Sequence, residues 1–179
     1  MLNIENSVVV IIDIQEKLVN AAGKYSPVEK VCKLVEAAKI LNIPVLVTEQ
    51  YPNGLGQTVD PLKSALAENT DFVEKTGFSA LLTSEFRDKL EVSGKKQVVI
   101  CGIEGHICVY QTICDLLADG YEVYFVKDCS ASRNKYEFKT GVDLIRQCGA
   151  KVTCLEIVLF EWLKTSKHPD FKLVQALIK

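Results

Sequence analysis

The chain has 179 residues, 48% of them hydrophobic and 25% charged, which is the size and make-up of one domain with its own core. Its 21 Lys and Arg against 23 Asp and Glu give a formal charge of −2, so no basic excess exists to hold a nucleic-acid backbone. Ten Gly and five Pro exclude a fibrous or broadly disordered chain.

The opening stretch, MLNIENSVVVIIDIQEK, has no positive segment ahead of its apolar run. That run, Val8–Ile12, stops at Asp13 and is too short for a signal peptide or a membrane span. A cytoplasmic, reducing setting is expected, with no membrane partner and free thiols. Ser7–Ile12 is the first of several β-branched runs that predict strands, and unbroken apolarity suits strands covered on both faces. Val28–Leu41 follows as an amphipathic helix, with Val28, Val31, Cys32, Leu34, Val35, Ala38 and Leu41 at three- and four-residue steps. Pro44–Thr48 is the second strand and Asp71–Lys75 a shorter candidate. Gln97–Cys101 comes next, then a helix over Ile107–Ala118, a strand over Glu122–Val126, a helix over Phe138–Cys148 and a strand over Lys151–Leu155. Gly120 and Gly149 suit the helix ends before them. The later stretch IVLFEWLK reads as a helix apolar around most of its circumference, through Ile157, Leu159, Phe160, Trp162 and Leu163, and points to contact on more than one face. The alternation predicts a single domain over residues 1–179, a three-layer α/β fold with a parallel sheet.

In open parallel sheets ligands lie beyond the carboxyl ends of the strands. The residues there include Asp13, Gln15, Tyr51, Lys75, Phe78, the segment Gly102–Cys108 and the segment Asp128–Arg133. Seven cysteines stand out, but no C-x-x-C pair supports a zinc ribbon or a thioredoxin-type site. Cys32, Cys101, Cys114, Cys148 and Cys154 lie on apolar faces or inside strands and read as core packing. Cys108 differs, because it falls at the apparent start of a helix, where partial positive charge favours a thiolate. Exposed peptide N–H groups at such a turn can also hold an oxyanion. Asp13 closes an apolar strand, where an acid without a role is costly to bury. Lys75 closes the short strand ahead of Thr-Gly-Phe-Ser. Together they make a device in which Lys75 favours the thiolate and Asp13 moves a proton. His106 precedes Cys108 by two residues, close enough for contact, whereas His168 in KHPDF suits helix entry. No Asp-x-His pattern or phosphate loop is present, so neither a metal nor another cofactor is expected.

These residues in this order resemble the isochorismatase-like hydrolase family, also called cysteine hydrolases. The likeness runs through VVVIIDIQEK, TEQYPNGLGQT, EKTGFSA, CGIEGHICVYQT, KDCSASR and HPDFK, and is greatest toward isochorismatase-domain-containing proteins. It implies a Rossmann-like sheet of six parallel strands in the order 3-2-1-4-5-6 between helices. It also implies Asp13, Lys75 and Cys108 as the catalytic acid, lysine and nucleophile. A cis peptide between Ile103 and Glu104 would turn the Glu104 N–H toward that of Cys108 as an oxyanion hole. Many amidases of the family have Ala-Thr where this chain has Glu104-Gly105, nicotinamidases carry a metal-binding Asp-x-His absent here, and true isochorismatases lack the cysteine. The expected activity is therefore hydrolysis of a C–N bond in a small amide through a thioester, without cofactor. Gln15, Tyr51, Leu55, Phe78 and Ile103 are the candidate pocket walls. A homo-oligomer, from dimer to larger ring, is implied as well. The competing readings are a scaffold that keeps the fold without robust turnover, and a ribonuclease, which the acidic charge disfavours.

Overall fold

In the computed structural model, which describes residues 1–179, six strands form one sheet in the order β3-β2-β1-β4-β5-β6. They are β1 (Ser7–Ile12), β2 (Val45–Gln50), β3 (Phe72–Lys75), β4 (Gln97–Ile103), β5 (Glu122–Ala131) and β6 (Lys151–Thr153). All neighbouring pairs are parallel. The helices are α1 (Glu16–Ala22), α2 (Val28–Ile40), α3 (Pro52–Leu55), α4 (Asp60–Ala65), α5 (Ser84–Val92), α6 (Tyr110–Ala118), α7 (Lys135–Gln147), α8 (Leu155–Leu163) and α9 (Phe171–Ala176). No helix is long and apolar enough to cross a membrane.

The unbroken apolarity of β1 has a direct structural cause. Successive side chains of a strand point to opposite faces, and both faces here are covered. Val9 and Ile11 enter one hydrophobic core with α2 and α8, while Val8, Val10 and Ile12 enter the other with α5, α6 and α7. In α8, Leu155, Val158, Leu159, Trp162 and Leu163 are buried, and the Trp162 indole N–H donates to Ser7 Oγ at 3.0 Å. Ile157 and Phe160 remain half exposed, with the Phe160 ring edge-on to Phe171. His168 Nδ1 accepts from the Asp170 N–H at the entrance to α9.

Several boundaries move for identifiable reasons. β4 and β5 extend past the apolar runs to Ile103 and Ala131, because a register shift between Ile100 and Gly102 lets them resume pairing. Leu155 opens α8 instead of closing β6. The helix expected from Phe138 begins at Lys135, where Asn134 Oδ1 accepts from the N–H groups of Tyr136 and Glu137, an N-cap. The cysteines divide differently from the sequence reading. Cys101 and Cys129 are buried, Cys32, Cys114 and Cys154 are only partly covered, and Cys148 is exposed. Cys148 leaves the core because it is the residue that caps α7, beyond its last apolar turn.

Candidate active site

The site lies where β1, its neighbour β4 and, beyond β2, β3 end. At the end of β1 the chain turns through Asp13, which has a left-handed φ of 52°. Its neighbour β4 approaches so closely here that a Cβ on Gly102, at φ 144°, would lie 2.1 Å from the Ile12 carbonyl oxygen. Only glycine fits. Past Ile103 the peptide to Glu104 is cis, and residues Gly105–Val109 form a π-helical turn that leads into α6. Cys108 sits in that turn and is 6% exposed.

The Asp13 carboxylate is fully enclosed and receives hydrogen bonds on both oxygens. Thr48 of β2 donates its hydroxyl to Oδ1 at 2.6 Å. The Lys75 ammonium at the end of β3 donates to Oδ2 at 2.7 Å. Lys75 is equally enclosed, and its Nζ also reaches Gln50 Oε1 at 2.7 Å and the Phe78 carbonyl at 3.1 Å. A buried ion pair is tolerated only when its remaining protons and lone pairs find partners, and these contacts supply them. Cys108 lies close enough for the Asp13 and Lys75 charges and the Glu104 N–H to act on its thiol.

Electrostatics set the resting state. Burial, reinforced by the Asp13 charge, pushes the Cys108 thiol up to about 12, with Lys75 pulling only partly against it. Burial also raises Asp13 above the ordinary carboxylate range, opposed by Lys75, Thr48 and Cys108 itself. The helix-terminus argument for a resting thiolate is thus corrected. Desolvation of the charged form outweighs a partial charge at the helix end.

One supporting residue escapes sequence reasoning. Thr112 of α6 donates its hydroxyl to the Cys108 carbonyl at 2.6 Å and accepts from the Ala80 N–H at 3.0 Å. It thereby ties the nucleophile turn to the loop after Lys75. The first contact is a threonine bonding four residues back in a helix, a spacing legible as Cys108-x-x-x-Thr112. Glu49 accepts from the Thr58 N–H at 2.6 Å. Glu104 is buried, with Oε1 2.7 Å from the Arg133 guanidinium and Oε2 without a hydrogen-bond partner.

The candidate pocket residues do not form one wall. Gln15 is fully buried, donating to the Gln50 and Gly56 carbonyls and accepting from the Gln50 N–H, so it braces the chain. Ile103 packs in the core. Tyr51, Lys75 and Thr76 line a cavity of about 440 Å³ with Asn53 and Leu82. Leu55 is half buried in α3 and Phe78 is exposed. His106 engages other partners, its Nδ1 2.9 Å from Ser132 Oγ and 3.4 Å from Glu104 Oε2. Within the segment Asp128–Arg133, Asp128 pairs with Lys30 at 2.8 Å and accepts from the Leu155 N–H. Ser130 Oγ accepts from the Gly102 N–H. No set of three His, Cys, Asp or Glu side chains is placed to hold a metal.

Residues 7–157 match the Isochorismatase domain family. An isochorismatase domain-containing protein 2 from Xenopus laevis is 38% identical over 175 residues, covering 97% of this chain and 83% of that protein. Among solved structures, one described as MAR1 ribonuclease from Caenorhabditis elegans superposes with a TM-score of 0.93 at 39% identity, covering 99% of this chain and 91% of the other. The product of the ycaC gene from Escherichia coli, described as an octameric hydrolase of unknown specificity, shares the fold with a TM-score of 0.87 at 22% identity, over 98% and 94% of the two chains.

Proposed function

We propose, from the premise that this chain belongs to the isochorismatase family, that it is a cysteine-dependent hydrolase of a C–N bond in a small amide. The observation that carries the reading is the meeting of Asp13, Lys75 and Cys108 from three strand ends, with the buried ion pair close enough to act on the thiol. Burial raises the thiol well above its ordinary value, which suits proton transfer to a neighbouring base as the bond forms. Asp13 takes the thiol proton as sulfur bonds to the carbonyl carbon. The Lys75 ammonium keeps the charge balance at that carboxylate.

The N–H groups of Glu104 and Cys108 receive the oxyanion. Collapse breaks the C–N bond, and the leaving amine or ammonia departs with the proton held by Asp13. Water then gives a proton to Asp13 and its oxygen to the thioester carbon. Release of the acid returns the proton to sulfur. The substrate approaches the nearly enclosed sulfur from the strand-end side, and a homo-oligomer, the state described for the octameric neighbour, is part of the proposal. A cytoplasmic location remains part of it too.

The test is ammonia or amine release across a panel of small amides, ureas and nitriles. A hydrolysed amide whose turnover disappears in Cys108→Ala, with far-ultraviolet circular dichroism unchanged, supports the reading; equal turnover in the variant overturns it. A scaffold without turnover is favoured by the near-complete enclosure of the sulfur, and silence across the whole panel would support it. The ribonuclease description belongs to the nematode protein; incubating a single-stranded RNA with this chain and resolving the products by gel electrophoresis addresses it here.

A further inference from the structure

Away from the strand ends, two other cysteines meet. Cys114 lies in the middle of α6 and Cys148 caps α7. Their sulfurs are 3.5 Å apart although the residues are 34 positions apart in sequence. Cys148 is exposed and Cys114 partly so, which distinguishes the pair from the buried Cys101 and Cys129. A disulfide needs sulfurs at about 2.05 Å, so closing the gap takes an approach of about 1.5 Å. The setting permits that. Cys148 is followed by Gly149 at φ 103°, so its backbone lies where the helix has already ended. Tyr110 stands one turn before Cys114 on α6, close enough for both thiols to act on its hydroxyl.

We propose that Cys114 and Cys148 form a reversible intramolecular disulfide by exchange with a low-molecular-weight disulfide such as oxidised glutathione. The accessible Cys148 gives up its proton, and its sulfur attacks one sulfur of the small disulfide. A mixed disulfide forms and one glutathione leaves as thiolate. Cys114 gives up its proton and attacks the Cys148 sulfur, releasing the second glutathione thiolate. The two glutathione thiolates take up the two protons, so one disulfide is reduced as one is made. Cys114 suits the resolving role. Burial, with a hydrogen bond to Cys148 next, pushes its thiol up to about 11, so it is a poor nucleophile toward solvent and reacts when the target sulfur is already adjacent.

The bond would staple α6 to α7, the two helices packed against the turn that carries Cys108. The site is independent of the hydrolase reading, since neither sulfur belongs to the Asp13, Lys75 and Cys108 group.

The experiment incubates the whole chain with oxidised glutathione at about pH 8, quenches with N-ethylmaleimide and maps peptides by mass spectrometry without reduction. The expected product has lost two hydrogens, carries a Cys114–Cys148 linked peptide and leaves the other five thiols unlinked. Its Tm should exceed that of the reduced chain by roughly 5–10 °C, a difference that dithiothreitol removes. Cys114→Ser should stop the reaction at the mixed disulfide on Cys148. A wild-type chain that instead accumulates stable glutathione on Cys148, links a different pair, or forms only intermolecular dimers overturns the proposal.

Discussion

At the scale of single residues, the site is built at the expense of stability. Asp13 and Lys75 are both fully enclosed, and a well-packed apolar pair of similar volume often does as well as, or better than, a buried ion pair. Removing one partner alone leaves an uncompensated charge. Asp13→Ala should therefore destabilise the fold by about 3–5 kcal/mol, read as a lower urea midpoint. The double variant Asp13→Leu with Lys75→Met should restore or exceed the wild-type midpoint while losing any hydrolysis. A double variant no more stable than Asp13→Ala would show that the pair holds the fold together.

The same scale shows what the sequence exposes and what it hides. Asp13 and Lys75 were legible because each charged side chain closes a strand, where enclosure without a role is costly. The support from Thr48 was not, because it depends on register: Thr48 reaches Asp13 only because it pairs with Ile12. The low-pKa thiolate expected at Cys108 failed for a related reason. Sequence reveals the turn at a helix start but not how thoroughly neighbouring elements exclude water from it.

Among the elements, the contact between α7 and the π-helical turn decides where the nucleophile stands. A Cβ on Gly141 of α7 would fall 2.8 Å from both Cα and Cβ of His106, and one on Gly105 would fall 2.8 Å from the Phe138 ring. Backbone on one side of the first contact cannot swing aside. Alanine at a helix-interior glycine ordinarily gains about 1 kcal/mol, whereas overpacking of a filled contact costs about 1–3 kcal/mol. The clash should win. Gly141→Ala is expected to lower the urea midpoint and to change the rate at which iodoacetamide alkylates Cys108, measured by peptide mapping. A rise in stability with an unchanged alkylation rate would show that the turn yields freely.

The strands were the readable elements because β-branched runs covered on both faces announce themselves. α2, α6 and α7 were readable in outline from their amphipathic spacing. α1, α3, α4 and α9, of 7, 4, 6 and 6 residues, did not stand out. Helices this short have few turns in which to establish a period, and they form through packing more than propensity. The π-helical turn was invisible for the same reason, since one widened turn leaves no repeat.

At the scale of the whole molecule, the two cores on either side of the sheet determine how the protein responds to alkali. Burial raises the thiols of Cys101 and Cys129 far above the ordinary value of 9.0, and that of Cys108 to about 12. Below about pH 9 the folded and unfolded chains both hold these protons, and the stability they contribute is fully present. As pH rises above 9, the unfolded chain releases protons that the fold retains. Stability then falls by up to about 1.4 kcal/mol per pH unit for each thiol, and Cys108 contributes until its own value is passed near 12. Tyr110, Tyr121 and Tyr124 are raised as well and add a slope of the same sign, so a comparison between variants is needed to isolate the sulfur. Cys101→Ala with Cys129→Ala should start less stable at pH 7, because two filled core positions lose volume. Its stability should then decline less steeply than that of the wild type between about pH 9 and 11, so the two curves converge. Urea midpoints across that range provide the measurement. Parallel curves would mean that alkali opens the sheet through its surface groups, with the thiols of the interior taking no part.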